Sequence, residues 1–90
     1  MAVRFRAKIR YWSPERSGGL AVVDVPSEHI TSLGGLKQKR VHGTINGADY
    51  ASSTMPAGRG RLALSVSQKM MKAAGVGVGD EADFEIVVSG

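Results

Sequence analysis

The segment from Val3 to Tyr11 alternates apolar and basic residues at every step. A period of two over this length predicts a half-buried strand, because successive side chains of a strand point to opposite faces. The inward face is predicted to carry Val3, Phe5, Ala7, Ile9 and Tyr11. The outward face would carry Arg4, Arg6, Lys8 and Arg10, with Trp12 next in phase. The chain therefore begins with a strand that needs an apolar core on one side only.

Turn and cap signals divide the rest of the sequence into five further strands and two short helices. The strands are predicted at Leu20–Val25, Lys39–Ile45, Ala48–Thr54, Arg61–Val66 and Glu81–Val88. The helices are predicted at Ser27–Leu33 and, after the cap Ser67, up to Ala74; glycines follow both. Asn46-Gly47 predicts a type I′ hairpin turn. Residues 13–19 and 55–60 are predicted as loops.

A shift of 41 residues superposes the two halves of the sequence. It places Gly19 on Gly60, Val25 on Val66, Gly34 on Gly75 and Ile45 on Ile86, and it places Ile9 on Tyr50. The inward phase of the strands agrees, and a slip of one residue would reverse every face. We therefore predict a single mainly β domain over residues 1–90. It would be a six-stranded β-barrel with two short helices and an internal pseudo-two-fold repeat, since closure removes unpaired strand edges.

Four motifs in this order carry a resemblance to a known family. Residues 62–86 run from an apolar strand through a short helix ending in glycine to Gly-Asp and a closing strand. Arg4–Ile9, Val41–Tyr50 (VHGTINGADY) and Met55–Leu62 (MPAGRGRL) precede them. The chain resembles the bacterial domain-of-unknown-function family 1905. This resemblance implies a double-split β-barrel, akin to a fused dimer of AbrB-type transition-state regulators, and no established activity.

The helix after Ser67 departs from the pattern of that family. Related helices tend to carry a basic pair and a leucine, whereas this chain has Gln68, Met71 and Ala74. Any role that the resemblance would give to this helix is therefore not carried over.

The composition excludes several classes of protein. There is no cysteine, so disulfide bonds, cysteine-based zinc sites and thiol catalysis are ruled out. The longest apolar run, Leu20–Val23, is far shorter than a membrane span or a signal-peptide core. We expect a cytoplasmic protein with no membrane partner.

Catalysis has little support in the sequence. His29 and His42 share no metal-ligand spacing with each other or with a carboxylate. The sequence has one cluster of carboxylates, around the start of the last predicted strand: Asp80, Glu81, Asp83 and Glu85. Within that strand, Asp83 and Glu85 are predicted to face solvent. We expect no catalytic residue, metal or cofactor, and an enzyme is the last of three alternatives.

The strongest functional feature is the basic charge. The net charge is +4, and residues 1–45 carry eight basic and three acidic residues. Candidate residues for binding an anion or nucleic acid are Arg4, Arg6, Lys8, Arg10 and Trp12, with Arg59 and Arg61 as a second group. The competing hypothesis pairs the basic row with Glu81, Asp83 and Glu85 across neighbouring strands.

These observations favour a non-catalytic barrel module that binds an unknown protein or small molecule. A nucleic-acid-binding protein that uses the first strand is the alternative. Because both halves of an AbrB-like dimer would lie in one chain, we expect a monomer.

Overall fold

One curled antiparallel sheet holds all seven strands of residues 2–13 and 19–89, which the computed structural model describes. The strands are β1 (Ala2–Lys8), β2 (Arg10–Tyr11), β3 (Ala21–Asp24), β4 (Lys39–Ile45), β5 (Ala48–Gly58), β6 (Arg61–Val66) and β7 (Glu81–Val88). Their order in the sheet is β1-β7-β4-β5-β6-β3-β2. One α-helix, α1 (Gln68–Ala74), lies between β6 and β7. The prediction of a mainly β fold is confirmed.

The prediction of six strands was wrong, because the first predicted strand is interrupted at Ile9. The Ile9 amide donates to the carbonyl of Asp80 (2.9 Å), and the Ile9 carbonyl accepts from the amide of Gly79 (2.8 Å). On one side of this residue β1 pairs with β7, and on the other β2 pairs with β3. A single run of ten residues therefore supplies both outer strands of the sheet.

The loop predicted at residues 55–60 is mostly strand. β5 pairs with β4 as far as Thr54 and with β6 from Thr54 to Gly58. The ladder shifts register between Pro56 and Gly58. An irregularity of this kind accommodates proline, which has no N–H to donate. The turn itself consists of Arg59 and Gly60.

The second predicted helix is confirmed, and the first is replaced by two shorter turns. Ser67 caps α1 by accepting a 3.1 Å hydrogen bond from the Met70 amide, and Gly75 ends the helix in the left-handed conformation. The region predicted as Ser27–Leu33 instead forms two 3₁₀-helices, Ser27–His29 and Thr31–Leu33, without a side-chain cap. None of the helices in residues 2–13 and 19–89 could cross a membrane.

The core lies on the concave face of the sheet and follows the predicted inward phase. Its fully buried residues include Ile9, Ile45, Leu64, Phe84 and Ile86. Thr54 is the one buried polar residue in the described part of the chain. Its hydroxyl donates to the Lys37 carbonyl and accepts from the Lys39 amide, both at 3.2 Å, so the buried oxygen is satisfied.

Candidate anion-binding site

The basic row of β1 lies directly opposite the acidic row of β7. The antiparallel register pairs Arg4 with Glu85 and Arg6 with Asp83. Nη2 of Arg4 lies 2.8 Å from Oε2 of Glu85. Arg6 bonds both Asp83 (3.0 Å) and Glu81 (3.2 Å). For these two arginines the predicted pairing across strands is observed.

This ladder is open to solvent. The Arg4 and Arg6 side chains are 79% and 57% exposed, so water screens their ion pairs strongly. The pKa of Arg6 is raised, first by its hydrogen bond to Asp83 and then by that to Glu81. Lys8 is opposite Glu81 in the register but forms no salt bridge within the described residues. The pairs fix register and neutralise charge on this face more than they stabilise the fold.

Arg10 does not belong to that ladder. It lies beyond the break at Ile9, in β2, and its guanidinium forms two hydrogen bonds with Asp24 of β3 (2.8 and 2.9 Å). The hydrogen bond from Arg10 holds the pKa of Asp24 below its ordinary value, and the charge of Arg61 adds to this effect. The competing hypothesis, that the whole basic row pairs with the β7 carboxylates, therefore fails at Arg10. Arg10 bonds Asp24 instead, because β2 pairs with β3.

The fixed Arg10 side chain also holds the backbone around Trp12. Its Nη1 donates to the carbonyl oxygens of Tyr11 (3.1 Å) and Trp12 (3.4 Å). The Trp12 amide donates to the Leu20 carbonyl at 2.7 Å. Trp12 is 37% exposed, and it is one of three exposed large apolar residues in the described part of the chain. The aromatic ring is thus presented on an anchored segment.

Arg10, Trp12, Ala57 and Arg61 line a recess of about 280 Å³. Arg61 begins β6, and Arg59 lies in the exposed turn just before it. Neither forms a salt bridge with a residue in the described ranges. We call Arg10, Trp12, Arg59 and Arg61 the arginine–tryptophan corner. With Asp24 beside it, this corner carries three cations and one carboxylate, a net charge of +2.

The hairpin turn of the corner has an unusual residue. Arg59 and Gly60 have φ of 52° and 73°, which matches the type I′ pattern of Asn46 and Gly47 (49° and 85°). Asparagine tolerates this left-handed conformation, whereas a long side chain such as arginine adopts it at a cost. Arg59 is thus strained where Asn or Gly would not be.

The candidate residues therefore separate into two groups. Arg4, Arg6 and Lys8 lie on the β1 face, beside the acids of β7. Trp12 and Arg61 instead line a recess with Arg10, and Arg59 lies in the turn just before Arg61. A larger recess of about 590 Å³ on the β1 face is lined by both signs of charge, including Arg4, Arg6, Asp83 and Glu85. The sequence did not indicate Asp24 as a partner of Arg10. Only the pairing of β2 with β3 brings them together.

The histidines do not form a site. His29 packs its ring 6.2 Å from that of Phe5, and Nδ1 of His42 lies 2.8 Å from the Ser89 hydroxyl. The described residues contain no group of three potential metal ligands among histidine, aspartate and glutamate side chains.

Comparison with known families matches residues 5–86 to DUF1905, a domain of unknown function. The chain belongs to the DUF1905 family. The match covers β1 to β7 almost completely, and it includes Arg6, the acids of β7 and the whole corner. None of the curated proteins matches the chain. The family of this DUF1905 domain is therefore established.

Proposed function

We propose that this DUF1905 domain is a non-catalytic binding module whose partner is an anion held at the arginine–tryptophan corner. The observation that carries the proposal is the division of the cations. Arg4 and Arg6 already bond carboxylates of β7, whereas neither Arg59 nor Arg61 forms a salt bridge with a described residue. Asp24 feels the charge of Arg61, but its carboxylate is hydrogen-bonded to Arg10. Guanidinium groups without an internal partner are ready donors for phosphate, sulfate or carboxylate oxygens.

Arg10 has a supporting role in this module. Its guanidinium donates two hydrogen bonds to the Asp24 carboxylate, which neutralises its charge. Arg10 therefore positions the site rather than binding the ligand. Because Arg10 bonds both Asp24 and the Trp12 carbonyl, it links the Trp12 backbone to β3. A partner therefore meets a surface whose backbone is already ordered, which lowers the entropic cost of binding.

The finer architecture proposed for the module is a double-split barrel made of two equivalent halves. In the ladders where the halves meet, Val23 pairs with Leu64 and Thr44 with Glu85, each residue facing the one 41 positions later. If a pseudo-two-fold axis relates the two halves, a residue beside the axis must pair with its own counterpart in the other half. The ends of α1 and of the second 3₁₀-helix also agree: the amides of Gly75 and Gly34 both bond the carbonyl three residues earlier.

The first strand fits the repeat with a different offset. The pair Arg10–Val22 corresponds to Met55–Ala63 when β2 is shifted by 45 residues and β3 by 41. This register makes Ile9 the counterpart of Thr54, where β5 changes partner, rather than of Tyr50 as the uniform shift predicted. The connection from β2 to β3 is four residues longer than its counterpart from β5 to β6.

A chain with both halves has no need of a second copy, so we expect a monomer in sedimentation at micromolar concentration. A dimer that continues the sheet would contradict this architecture.

Nucleic-acid binding along β1 has less support. A row of cations at phosphate-like spacing would need to be free, yet carboxylates contact two of its members. The counterpart of β1 in the other half, the first part of β5, carries no basic residue. A two-fold basic surface of the AbrB kind is therefore absent from the described part of the chain.

Retention on immobilised heparin and binding of inorganic polyphosphate test the proposal. Arg59→Asn with Arg61→Gln should abolish both, whereas Arg4→Gln with Arg6→Gln, which also removes two cations, should reduce them only slightly. If the β1 variant loses binding and the corner variant does not, the first strand is the site. If the parent domain binds neither probe at low salt, the anionic partner is wrong.

A further inference from the structure

We propose that the arginine–tryptophan corner binds single-stranded nucleic acid, with one base stacked on Trp12 and adjacent phosphates on Arg59 and Arg61. This inference rests on the proposed function and names the class of anion. Its three components are an anchored aromatic face, two guanidiniums that form no salt bridge with a described residue, and a small recess lined by Trp12 and Arg61.

The aromatic face is suited to stacking because two hydrogen bonds hold its backbone, one of them from an arginine that is itself fixed. The Trp12 amide bonds Leu20, its carbonyl accepts from Arg10, and Arg10 is bound to Asp24. Trp12 is partly exposed and does not belong to the core cluster, so the core does not depend on its ring. Stacking on such a ring is tolerant of base identity, since every base has a π-face.

Cations that could bind the sugar–phosphate chain lie in the recess and in the turn next to it. Arg61 lines the same recess of about 280 Å³ as Trp12, and Arg59 lies two residues earlier in the turn. Both guanidiniums can bind phosphate through two parallel N–H donors. The strained conformation of Arg59 supports a role for its side chain, because backbone strain tends to persist at functional sites.

The structure favours a single strand over a duplex for two reasons. The indole needs the face of a base, and paired bases hide their faces inside the stack. The longer basic surface that could follow a duplex backbone, on β1, is neutralised by Glu85, Asp83 and Glu81. Two cations and one ring match the short contact of one or two nucleotides.

Trp12 is the sole tryptophan of the chain, so its intrinsic fluorescence reports stacking directly. Oligothymidylate and oligouridylate should both quench it on binding, and a preference between them would identify DNA or RNA as the favoured strand. Inorganic polyphosphate should bind without quenching. Neutralising two phosphates predicts a slope of about −1.4 in log K against log salt for a single strand.

Three variants test the roles, with affinity measured by anisotropy of a labelled oligonucleotide and folding checked by circular dichroism. Trp12→Leu should weaken oligonucleotide binding roughly 5- to 150-fold while leaving polyphosphate binding unchanged. Trp12→Phe should restore much of the loss. Arg59→Asn should reduce the salt slope by about 0.7. Lys69→Gln is the matched control, because this exposed cation lines a separate recess with Asp49 and Ala73.

The outcomes separate the inference from the proposed function. If polyphosphate binds at the corner but oligonucleotides bind without quenching Trp12, or a duplex binds as well as a single strand, the stacking inference is wrong and the anion site stands. An acidic or phosphorylated peptide that binds while oligonucleotides do not would make the partner a protein. If Trp12→Leu and Lys69→Gln lose affinity equally, the aromatic ring has no role.

Discussion

The hydroxyl of Tyr50 donates a 2.9 Å hydrogen bond to the backbone carbonyl of Glu85, two strands away. The strand between them places Gly43 opposite both Tyr50 and Ile86. A side chain at Gly43 would put its Cβ 1.8 Å from the Glu85 oxygen. The absence of a side chain there lets the Glu85 carbonyl approach and Tyr50 reach it, so one glycine joins β5 to β7.

Gly43→Ala should therefore be among the most damaging substitutions in the domain. The new Cβ meets backbone atoms of β7, which cannot move without disturbing the ladder to β1 as well. We expect a loss of at least about 3 kcal/mol in the free energy of unfolding, as for other severe overpacking. Urea unfolding measures it. Gly47→Ala is a useful comparison, because space is open there and only its positive φ opposes a side chain.

Tyr50→Phe should cost about 1 kcal/mol, the typical net value of one hydrogen bond. The ring remains to fill the space beside Gly43, and Phe5 already stacks on Phe84 at the corresponding place in the other half, with centroids 5.6 Å apart. Burial raises the pKa of the Tyr50 hydroxyl, so its neutral form is the folded one. Above about pH 10 the parent protein should lose stability that the phenylalanine variant keeps. An equal decline of both proteins above that pH would show that folding does not raise the pKa of Tyr50.

The strands and the Asn46-Gly47 hairpin could be predicted because their signals are local. Alternation gives the face of each residue, and an Asn-Gly pair gives the turn. The same alternation places Arg4 and Arg6 on the outward face of β1 and the acids on the outward face of β7, so their pairing could be anticipated. The strand faces and the turn can be predicted without knowing the order of the strands in the sheet. The opposition of the charged rows requires only that β1 and β7 be neighbours.

The break at Ile9 and the length of β5 could not be predicted in this way. The alternation continues through Ile9 unchanged, since the residue keeps its inward phase while its strand changes partner. Pro56 and Gly58 indicate a loop, yet the ladder absorbs both through a register shift. The Arg10–Asp24 pair depends on this same change of partner. The corner is therefore a product of sheet topology, which local sequence does not encode.

The Arg10–Asp24 pair should give the stability of the domain a defined pH dependence. Because the folded pKa of Asp24 is lowered, its contribution is complete above the unfolded value of about 4 and disappears as pH falls through the folded value. Asp24→Asn should thus lower the melting temperature at pH 7, and its difference from the parent should shrink as the pH falls below about 4. Thermal unfolding across this range measures the difference. A constant difference at all pH values would mean that shape, and not charge, is what Asp24 contributes.

The β1–β7 ladder should behave as a solvated surface. Arg6→Ser with Lys8→Ser removes two exposed cations, and we expect no measurable change in the urea midpoint at physiological salt, because exposed pairs are strongly screened. At low salt a small loss should appear, since Glu81 and Asp83 then lie side by side without compensation. A large loss at every salt concentration would mean that the ladder stabilises the fold directly.

Arg59→Asn should stabilise the domain while removing a charge from the corner. The residue sits at φ 52° in a type I′ turn, where asparagine is favoured and arginine is strained. We expect a gain of about 0.5–1 kcal/mol in the free energy of unfolding, measured by urea denaturation. Asn46→Arg is the reverse change in the other hairpin and should be destabilising by more, because it also removes the hydrogen bond that the Asp83 amide donates to the Asn46 side chain at 2.8 Å. If Arg59→Asn lowers stability instead, the Arg59 side chain supports the fold. If it raises stability while weakening anion binding, arginine is present at this turn for the ligand, since the fold would be better served by asparagine.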